Sequence, residues 1–464
     1  MNNQLWRTAM CAIAATCCLN TAVVNAEPAA APDAIAERIA QETRDFDVPG
    51  IAVASVRNGK VQWIETQGKA GEDRPVSRET LFNVASLTKP MFATMVMHLV
   101  DEGAVSLDAS LDRHWVDPDI ADDPRHEKIT ARLALSHQTG LPNWRGNNEL
   151  AFAFMPGERH EYSGEGFEYL RRAVEMATQQ SMPALMAEHV TGPAGMPRTY
   201  YGWDEAVAES LATGYREDGQ ALDMTHLQQR GPNAAASTFT NIADVSAFAA
   251  WVAGGADLRD SVFAEMIRPQ AVHENPAEQF SIGWRVTTVD GTPVITHDGR
   301  EDGLRTLLIV NPDTKDGLVI LTNSSNGELL TRGIISAALP GGDALNAQTD
   351  RDIWKYISAQ PPQMHAGLLG FIVRSPSFTA KLLYAVDTSL VGPAGAGEDD
   401  RKQSLEATAA VVRAHHSGTL SGEQLAQHLG LLDADDGDGV RLVQSFDAEQ
   451  ARAWLESLAA LAET

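Results

Sequence analysis

Ser86-Leu87-Thr88-Lys89 is the stretch from which the architecture of this chain can be read outward. It holds the only serine with a lysine three residues downstream, and it sits where a helix is expected to begin. Phe92, Met95, Val96 and Leu99 recur at positions i, i+3, i+4 and i+7, which predicts a helix over residues 87–102 with one apolar face. Pro90 falls in the first turn, where a missing N–H has no intrahelical bond to lose, and Gly103 supplies a C-terminal stop. A spacing of three places the Ser86 hydroxyl and the Lys89 amine on one side of that helix, a turn apart. A serine hydroxyl is a poor nucleophile until a neighbouring base takes its proton. A lysine in a partly desolvated pocket can have its pKa lowered enough to be that base. The helix start also leaves free N–H groups near the oxygen under attack.

Working outward, residues 33–46 read as an amphipathic helix. Residues 51–56 and 61–66 read as a hairpin about Asn58-Gly59, a dipeptide suited to positive φ. Residues 81–85 lead into the Ser86 helix. A long, mostly helical middle with frequent Gly and Pro breaks is expected from 101 to 255. Strand patterns return at 280–289, 294–296, 304–310 and 318–322. Strands at both ends with helices between them predict an α+β (mixed α/β) fold: one antiparallel sheet assembled from the two termini, flanked by helices, with a helical insertion over its face.

The texture changes near residue 341. A Pro/Gly/acid-rich link at 392–400 and an apolar stripe of Ala451, Trp454, Leu455, Leu458 and Leu461 predict a small C-terminal helical appendage. Residues 433–439 superficially resemble a calcium loop, but position five is Gly437 and position twelve is Gln444, so the bidentate glutamate is absent and a solvated acidic turn is expected. The expected division is thus 1–26, 27–342 and 343–464.

The first 26 residues read as a secretory signal: Arg7 is the one charge, a small-residue apolar stretch runs from Ala9 to Val24, and Val24-Asn25-Ala26 fits the small-x-small cleavage rule. A periplasmic or secreted location is the expectation. Cys11, Cys17 and Cys18 would leave with that segment, so no disulfide and no cysteine nucleophile is expected after it. The formal charge of −26 argues against nucleic acid and anionic membranes as partners. The apolar run at 366–373 is too short for a membrane span.

Three motifs in order, Ser86-Leu87-Thr88-Lys89, Tyr162-Ser163-Gly164 and His297-Asp298-Gly299, resemble those of the serine β-lactamase and penicillin-binding-protein superfamily of Ser-x-x-Lys hydrolases. The likeness is greatest to the class C β-lactamases and the related carboxylesterases and D-peptidases. Connecting text supports it: Phe82-Asn83-Val84-Ala85 before the serine, Leu135-Ser136-His137-Gln138-Thr139-Gly140-Leu141-Pro142, Pro156-Gly157 before the tyrosine, Gly195-Met196 and Gly283-Trp284. It covers residues 33–339 and implies the β-lactamase/transpeptidase-like fold.

The resemblance implies that Ser86 is the nucleophile of an acyl-enzyme, that Lys89 activates it, and that Tyr162 shuttles protons. Whether Lys89 or Tyr162 takes the first proton stays open. His297, Gly299 and Arg300 would form the opposite wall. There the Arg300 main-chain N–H, with that of Ser86, would make an oxyanion hole in which one donor is worth about 3 kcal/mol of barrier. His137 is expected to be structural, and Arg305 an exposed strand residue rather than a carboxylate binder. No cofactor is implied, and no His/Asp/Glu cluster has metal spacing.

One departure stands out. Gly164 occupies the place where the motif usually has asparagine, so a side-chain amide that would bind a substrate amide is missing; Ser163 and Glu165 are the neighbouring candidates to compensate. The expected function is therefore an exported serine hydrolase of carboxylesterase type on small esters, with Gly164→Asn expected to narrow the gap between esters and a cephalosporin. A β-lactamase or D-amino-acid peptidase is the alternative within the same chemistry, and a non-catalytic binding protein the alternative outside it.

Overall fold

The computed structural model describes residues 28–270 and 279–359. The leader at 1–26, the apolar run at 366–373, the link at 392–400, the acidic turn at 433–439 and the stripe ending at Leu461 all lie outside the described residues.

Helix α1 (Asp33–Asp45) precedes strands β1 (Gly50–Arg57) and β2 (Lys60–Gly71). Asn58 and Gly59 join the strands at φ +51° and +71°, the backbone that a two-residue hairpin turn requires. Short strands β3 (Arg74–Pro75) and β4 (Phe82–Asn83) follow, then helix α2 (Thr88–Asp101). The insertion continues through helices α3 (Ala131–Leu135), α4 (Gly164–Thr178), α5 (Met182–Met186) and α6 (Gly192–Ala194). After these come β5 (Tyr200–Tyr201), α7 (Glu205–Ser210), β6 (Thr238–Thr240), α8 (Ile242–Ala253) and α9 (Asp260–Ile267). The chain then returns as a meander of β7 (Arg285–Val289), β8 (Thr292–Glu301), β9 (Leu304–Asn311) and β10 (Asp316–Thr322), and ends in α10 (Thr331–Ala338) and α11 (Gly342–Ala359).

β1 pairs antiparallel with β10, from Ile51 opposite Thr322 to Val56 opposite Gly317. This joins the two ends of the chain into one seven-stranded antiparallel sheet of order β3-β2-β1-β10-β9-β8-β7. A second sheet, β4-β6-β5, lies within the insertion. Successive side chains of β1 serve opposite faces. Ile51 and Val53 pack with Ile39 and Phe46 and with Ile334 and Ala338 of α10. Ala52, Ala54 and Val56 belong to the larger core with Phe248, Ala249 and Val252 of α8. Burial on both faces is why β1 reads as an almost continuous apolar run. Phe248 and Val252 are fully buried, and burying each stabilises the fold by ~2 kcal/mol.

Four expected elements need correction. The predicted helix over 87–102 starts later, because Ala85–Leu87 forms a 3-10 turn and α-helix begins at Thr88. Nor is it one-faced: Met91 to Met97 are all buried, because the insertion and the sheet surround α2. The middle is mostly not helical. From 104 to 163 its longest α-helix is α3, and aspartates such as Asp117 and Asp123, each followed by proline, cap single 3-10 turns instead. The strand expected at 294–296 runs on through the third motif to Glu301, while β7 starts only at Arg285, because Gly283 at φ +77° turns the chain before it. Helix α11 begins where the composition changes. Its Leu345 joins the core of α1 and α10, and the Asn346 amide donates to the Arg332 carbonyl at 3.0 Å. Among the described residues no helix is long and apolar enough to cross a membrane.

Candidate active site

Ser86 stands in the 3-10 turn between β4 and α2. Ala85, just before it, has φ +44°, a left-handed backbone that a side chain disfavours. The strain is held by the Ala85 N–H donating to Asn83 Oδ1 at 3.0 Å and the Leu87 N–H donating to the Val84 carbonyl at 3.0 Å. That turn presents Ser86 to a cleft of about 890 Å³, which also takes in Lys89, Tyr162, Asp298 and Arg300.

Lys89 lies in the first turn of α2 and is 1% exposed. Its Nζ is 3.3 Å from Ser86 Oγ and donates to the Ala235 carbonyl at 2.9 Å. The amine sits 4.7 Å from the Tyr162 ring centre and 5.6 Å from that of Phe167. Burial outweighs the more distant Asp298 and Glu168 carboxylates, so its pKa falls from 10.5 to about 7. A substantial fraction of the amine is therefore unprotonated at neutral pH.

Tyr162 is hydrogen-bonded to Ser86 and packs face-to-face, tilted by 30°, on His137 at 4.2 Å between ring centres. Burial raises its phenol well above the usual value of 10, which keeps the proton on oxygen at neutral pH. His137 is fully buried, and its Nδ1 accepts the Ser163 N–H at 3.1 Å. Its proton is therefore on Nε2, and burial holds it neutral. It acts as the structural support expected of it, pinning the backbone beside Tyr162. Ser163 caps α4: its hydroxyl accepts the Gly166 N–H at 2.9 Å and donates to the Pro142 carbonyl at 2.8 Å.

β8 forms the opposite side, and its alternation corrects the expected wall. His297 and Gly299 face inward, whereas Asp298 and Arg300 face the cleft. His297 is 2% exposed and packs 6.4 Å from the Tyr162 ring. Its Nδ1 donates to the Asp298 carbonyl at 2.7 Å, and burial lowers its pKa to about 3, so it is a neutral support behind the wall rather than a substrate contact. Gly299 is required by proximity. A Cβ there would lie 2.2 Å from the Val84 carbonyl oxygen and 2.3 Å from Thr306 Oγ1. β8 thus presses directly on the turn that carries Ser86, and the Arg300 main chain follows along the same contact. The Arg300 side chain is exposed, 3.2 Å from Asp298, which Arg285 also holds at 2.7 Å. Arg305 donates to the Glu301 and Leu304 carbonyls and is not among the cleft residues.

Gly164 is the first residue of α4. A Cβ there would lie 2.8 Å from the Asn143 carbonyl oxygen and from the Trp144 ring. Neither neighbouring candidate compensates for the missing amide: the Ser163 hydroxyl is committed to the cap, and Glu165 binds Arg145 at 3.0 Å. Residues that the sequence did not single out include Ala235, whose carbonyl fixes the Lys89 amine across 146 residues, and Asn143 and Trp144 at the cleft. No local spacing signals these long-range contacts. Among the described residues, no group of three or more His, Cys, Asp or Glu is arranged to hold a metal ion.

The sequence model of the Beta-lactamase family matches residues 35–338. Protein flp of Staphylococcus aureus strain MW2 is 23% identical over 299 residues, 60% of this chain and 60% of that protein. Esterase EstB of Burkholderia gladioli is 29% identical over 226 residues, 41% of this chain and 55% of that protein. The chain thus spans about 60% of the length of the first curated relatives it matches. Among solved structures, the octameric penicillin-binding protein homologue from Pyrococcus abyssi matches with a TM-score of 0.56 at 20% identity, covering 66% of this chain and 76% of that one. D-alanine carboxypeptidase AmpC from Burkholderia cenocepacia matches with a TM-score of 0.55 at 20% identity, covering 66% and 98%. At these identities the structural likeness speaks to the fold.

Proposed function

The chain belongs to the Beta-lactamase family of serine hydrolases, and from that premise we propose that it cleaves small esters through an acyl-enzyme on Ser86. The observation that carries this reading is the Lys89 amine, buried, 3.3 Å from Ser86 Oγ and poised near neutrality. The unprotonated amine takes the Ser86 proton as Oγ attacks the ester carbonyl carbon. The main-chain N–H groups of Ser86 and Arg300 hold the oxyanion. Tyr162, still carrying its proton, gives it to the departing alkoxide, and the Lys89 ammonium resupplies it. Water then reverses the sequence and frees the acid. Esters are favoured over amides because an alcohol leaves more easily than an amine, because Gly164 removes a side-chain amide, and because neutral His297 offers no charge to a substrate carboxylate. The likeness to an esterase points the same way. Export of the mature chain after Ala26 is part of the proposal, and the N-terminal sequence of the secreted protein tests it.

Ser86→Ala should abolish fluorophosphonate labelling and ester hydrolysis with little change in melting temperature. In the unchanged protein, kcat/KM for short-chain nitrophenyl esters should exceed that for a chromogenic cephalosporin at least about tenfold, a gap of ~1.4 kcal/mol in barrier. Cephalosporin turnover that equals or outpaces ester turnover would favour the β-lactamase alternative. Near-normal turnover by Ser86→Ala would remove the nucleophile assignment.

A further inference from the structure

Glu168 borders the cleft from α4, and both of its carboxylate oxygens are engaged. Oε1 accepts the Arg171 Nε–H at 3.0 Å and the Ala234 N–H at 2.6 Å, and Oε2 accepts from Arg171 Nη2 at 2.9 Å. Arg171, in the same helix, is buried and held in turn by Glu175 at 2.8 Å. The bond to Ala234 crosses 66 residues and ends on the segment that supplies the Lys89 partner. There Asn233 Oδ1 accepts the N–H groups of Ala235 and Ala236 at 2.7 and 3.0 Å, and the Ala235 carbonyl accepts the Lys89 amine at 2.9 Å. Asn233 fixes the turn of this segment internally, whereas Glu168 ties it to α4. Peptide units are planar, so a displacement of the Ala234 N–H is passed on to the Ala235 carbonyl. The titratable groups within electrostatic reach of the Lys89 amine are Tyr162, His137, Glu168, and His297 and Asp298 of β8. Tyr162 keeps its proton and both histidines are neutral, which leaves the two carboxylates as the charges that favour the ammonium. Asp298 is paired with Arg285 and Arg300, and Glu168 with Arg171.

We infer that Glu168 is a positioning residue: its carboxylate, braced by Arg171, fixes the Ala234–Ala235 segment so that the Ala235 carbonyl aims the Lys89 amine at Ser86 Oγ. This rests on the reading of Lys89 as the base of a serine hydrolase and adds a residue to it. An ionised acceptor makes shorter and stronger hydrogen bonds than a neutral one, in keeping with the 2.6 Å contact to Ala234. The same charge opposes the effect of burial on the ammonium, so the amine titrates near neutrality instead of lower. An amine that titrated far below neutrality would be a weaker proton acceptor for Ser86.

Glu168→Gln separates position from charge, because its amide oxygen can still accept the Ala234 N–H while the negative charge is gone. Glu168→Ala removes both, and Arg171→Met leaves the carboxylate without its guanidinium. Two readouts are taken on each. One is the titration of Lys89, followed by carbon NMR of its ε-methylene and identified by the signal that Lys89→Met deletes. The other is kcat and KM for a nitrophenyl ester across pH. In Glu168→Gln the Lys89 midpoint and that of kcat/KM should fall together by at least about half a pH unit, and in Arg171→Met both should rise. In Glu168→Ala the plateau kcat should fall at least about tenfold with KM little changed, and glutamine should restore most of it. A Lys89 midpoint that is unmoved or rises in Glu168→Gln would overturn the inference, as would an undiminished plateau kcat in Glu168→Ala. Glutamine keeps the side-chain volume, so Glu168→Gln decides by itself if Glu168→Ala does not fold. Fluorophosphonate labelling of the unchanged protein tests the hydrolase reading on its own. Should labelling and turnover both be absent, the NMR titration still decides the Glu168 role. A Lys89 midpoint that falls in Glu168→Gln and rises in Arg171→Met supports it, and one that moves in neither overturns it.

Discussion

Lys89 is 1% exposed, with a serine hydroxyl and a carbonyl oxygen as its hydrogen-bond partners. Burial penalises its charged form in the folded state only. Below about pH 7 it is charged whether folded or unfolded, so folding carries the whole cost of burying the charge. Between about 7 and the ordinary value of 10.5 the unfolded chain binds more protons than the folded one, so stability rises with pH across that window. Lys89→Met should therefore raise the melting temperature while losing activity. Its stabilisation should be larger at pH 6 than at pH 9 by about 3 kcal/mol, at ~1.4 kcal/mol per pKa unit. With the free amine as the proposed base, kcat/KM of the unchanged protein should climb with pH through about 7 and then level off; a flat profile from pH 6 to 8 would remove Lys89 from that role. The asparagine expected at 164 to narrow the gap between esters and a cephalosporin would meet the Asn143 carbonyl and the Trp144 ring, so Gly164→Asn should lower the melting temperature and displace Trp144. Overpacking of this kind costs ~1–3 kcal/mol.

β8 is the element that joins the sheet to the site. It carries a neutral histidine inward beside Tyr162, a paired carboxylate and an arginine outward, and a glycine where it meets the Ser86 turn. Gly299→Ala would set a methyl group against the Val84 carbonyl and Thr306, forcing β8 and the turn apart. The two main-chain N–H groups proposed as the oxyanion hole belong to that turn, at Ser86, and to that strand, at Arg300. The expected outcome is a fall in kcat of at least about tenfold with KM less affected, together with a lower melting temperature, measured by steady-state kinetics and calorimetry. Unchanged kcat in a folded Gly299→Ala protein would show that the contact does not position the donors. This element was only half legible in the sequence. A buried strand is recognised by apolar alternation, but here the inward positions after Ile295 are His297 and Gly299, and the period is hidden by the chemistry of the site.

At the scale of the molecule, the sheet closes around a large insertion, and the last described helix completes one of its faces. Leu345 lies in the core of α1 and α10, so a chain ending at residue 342 should label with fluorophosphonate but melt earlier than one ending at residue 359, which should label like the full chain. Complete loss of labelling in either truncation, while circular dichroism shows it folded, would mean that the C-terminal region helps build the site. Local relations were enough to settle much from the sequence: α1 from its periodicity, the β1–β2 hairpin from Asn58-Gly59, the pairing of Ser86 with Lys89 from a spacing of three. Each depends on residues within a few positions, whose geometry the backbone dictates. The tertiary structure alone decided that Lys89 is buried and its pKa lowered toward neutrality, that His297 stands behind the wall instead of in it, and that Asn143 and Trp144 fill the place above Gly164. Those outcomes turn on burial and close approach between segments far apart in the chain, and desolvation depends on everything packed around a group, not on its neighbours in sequence.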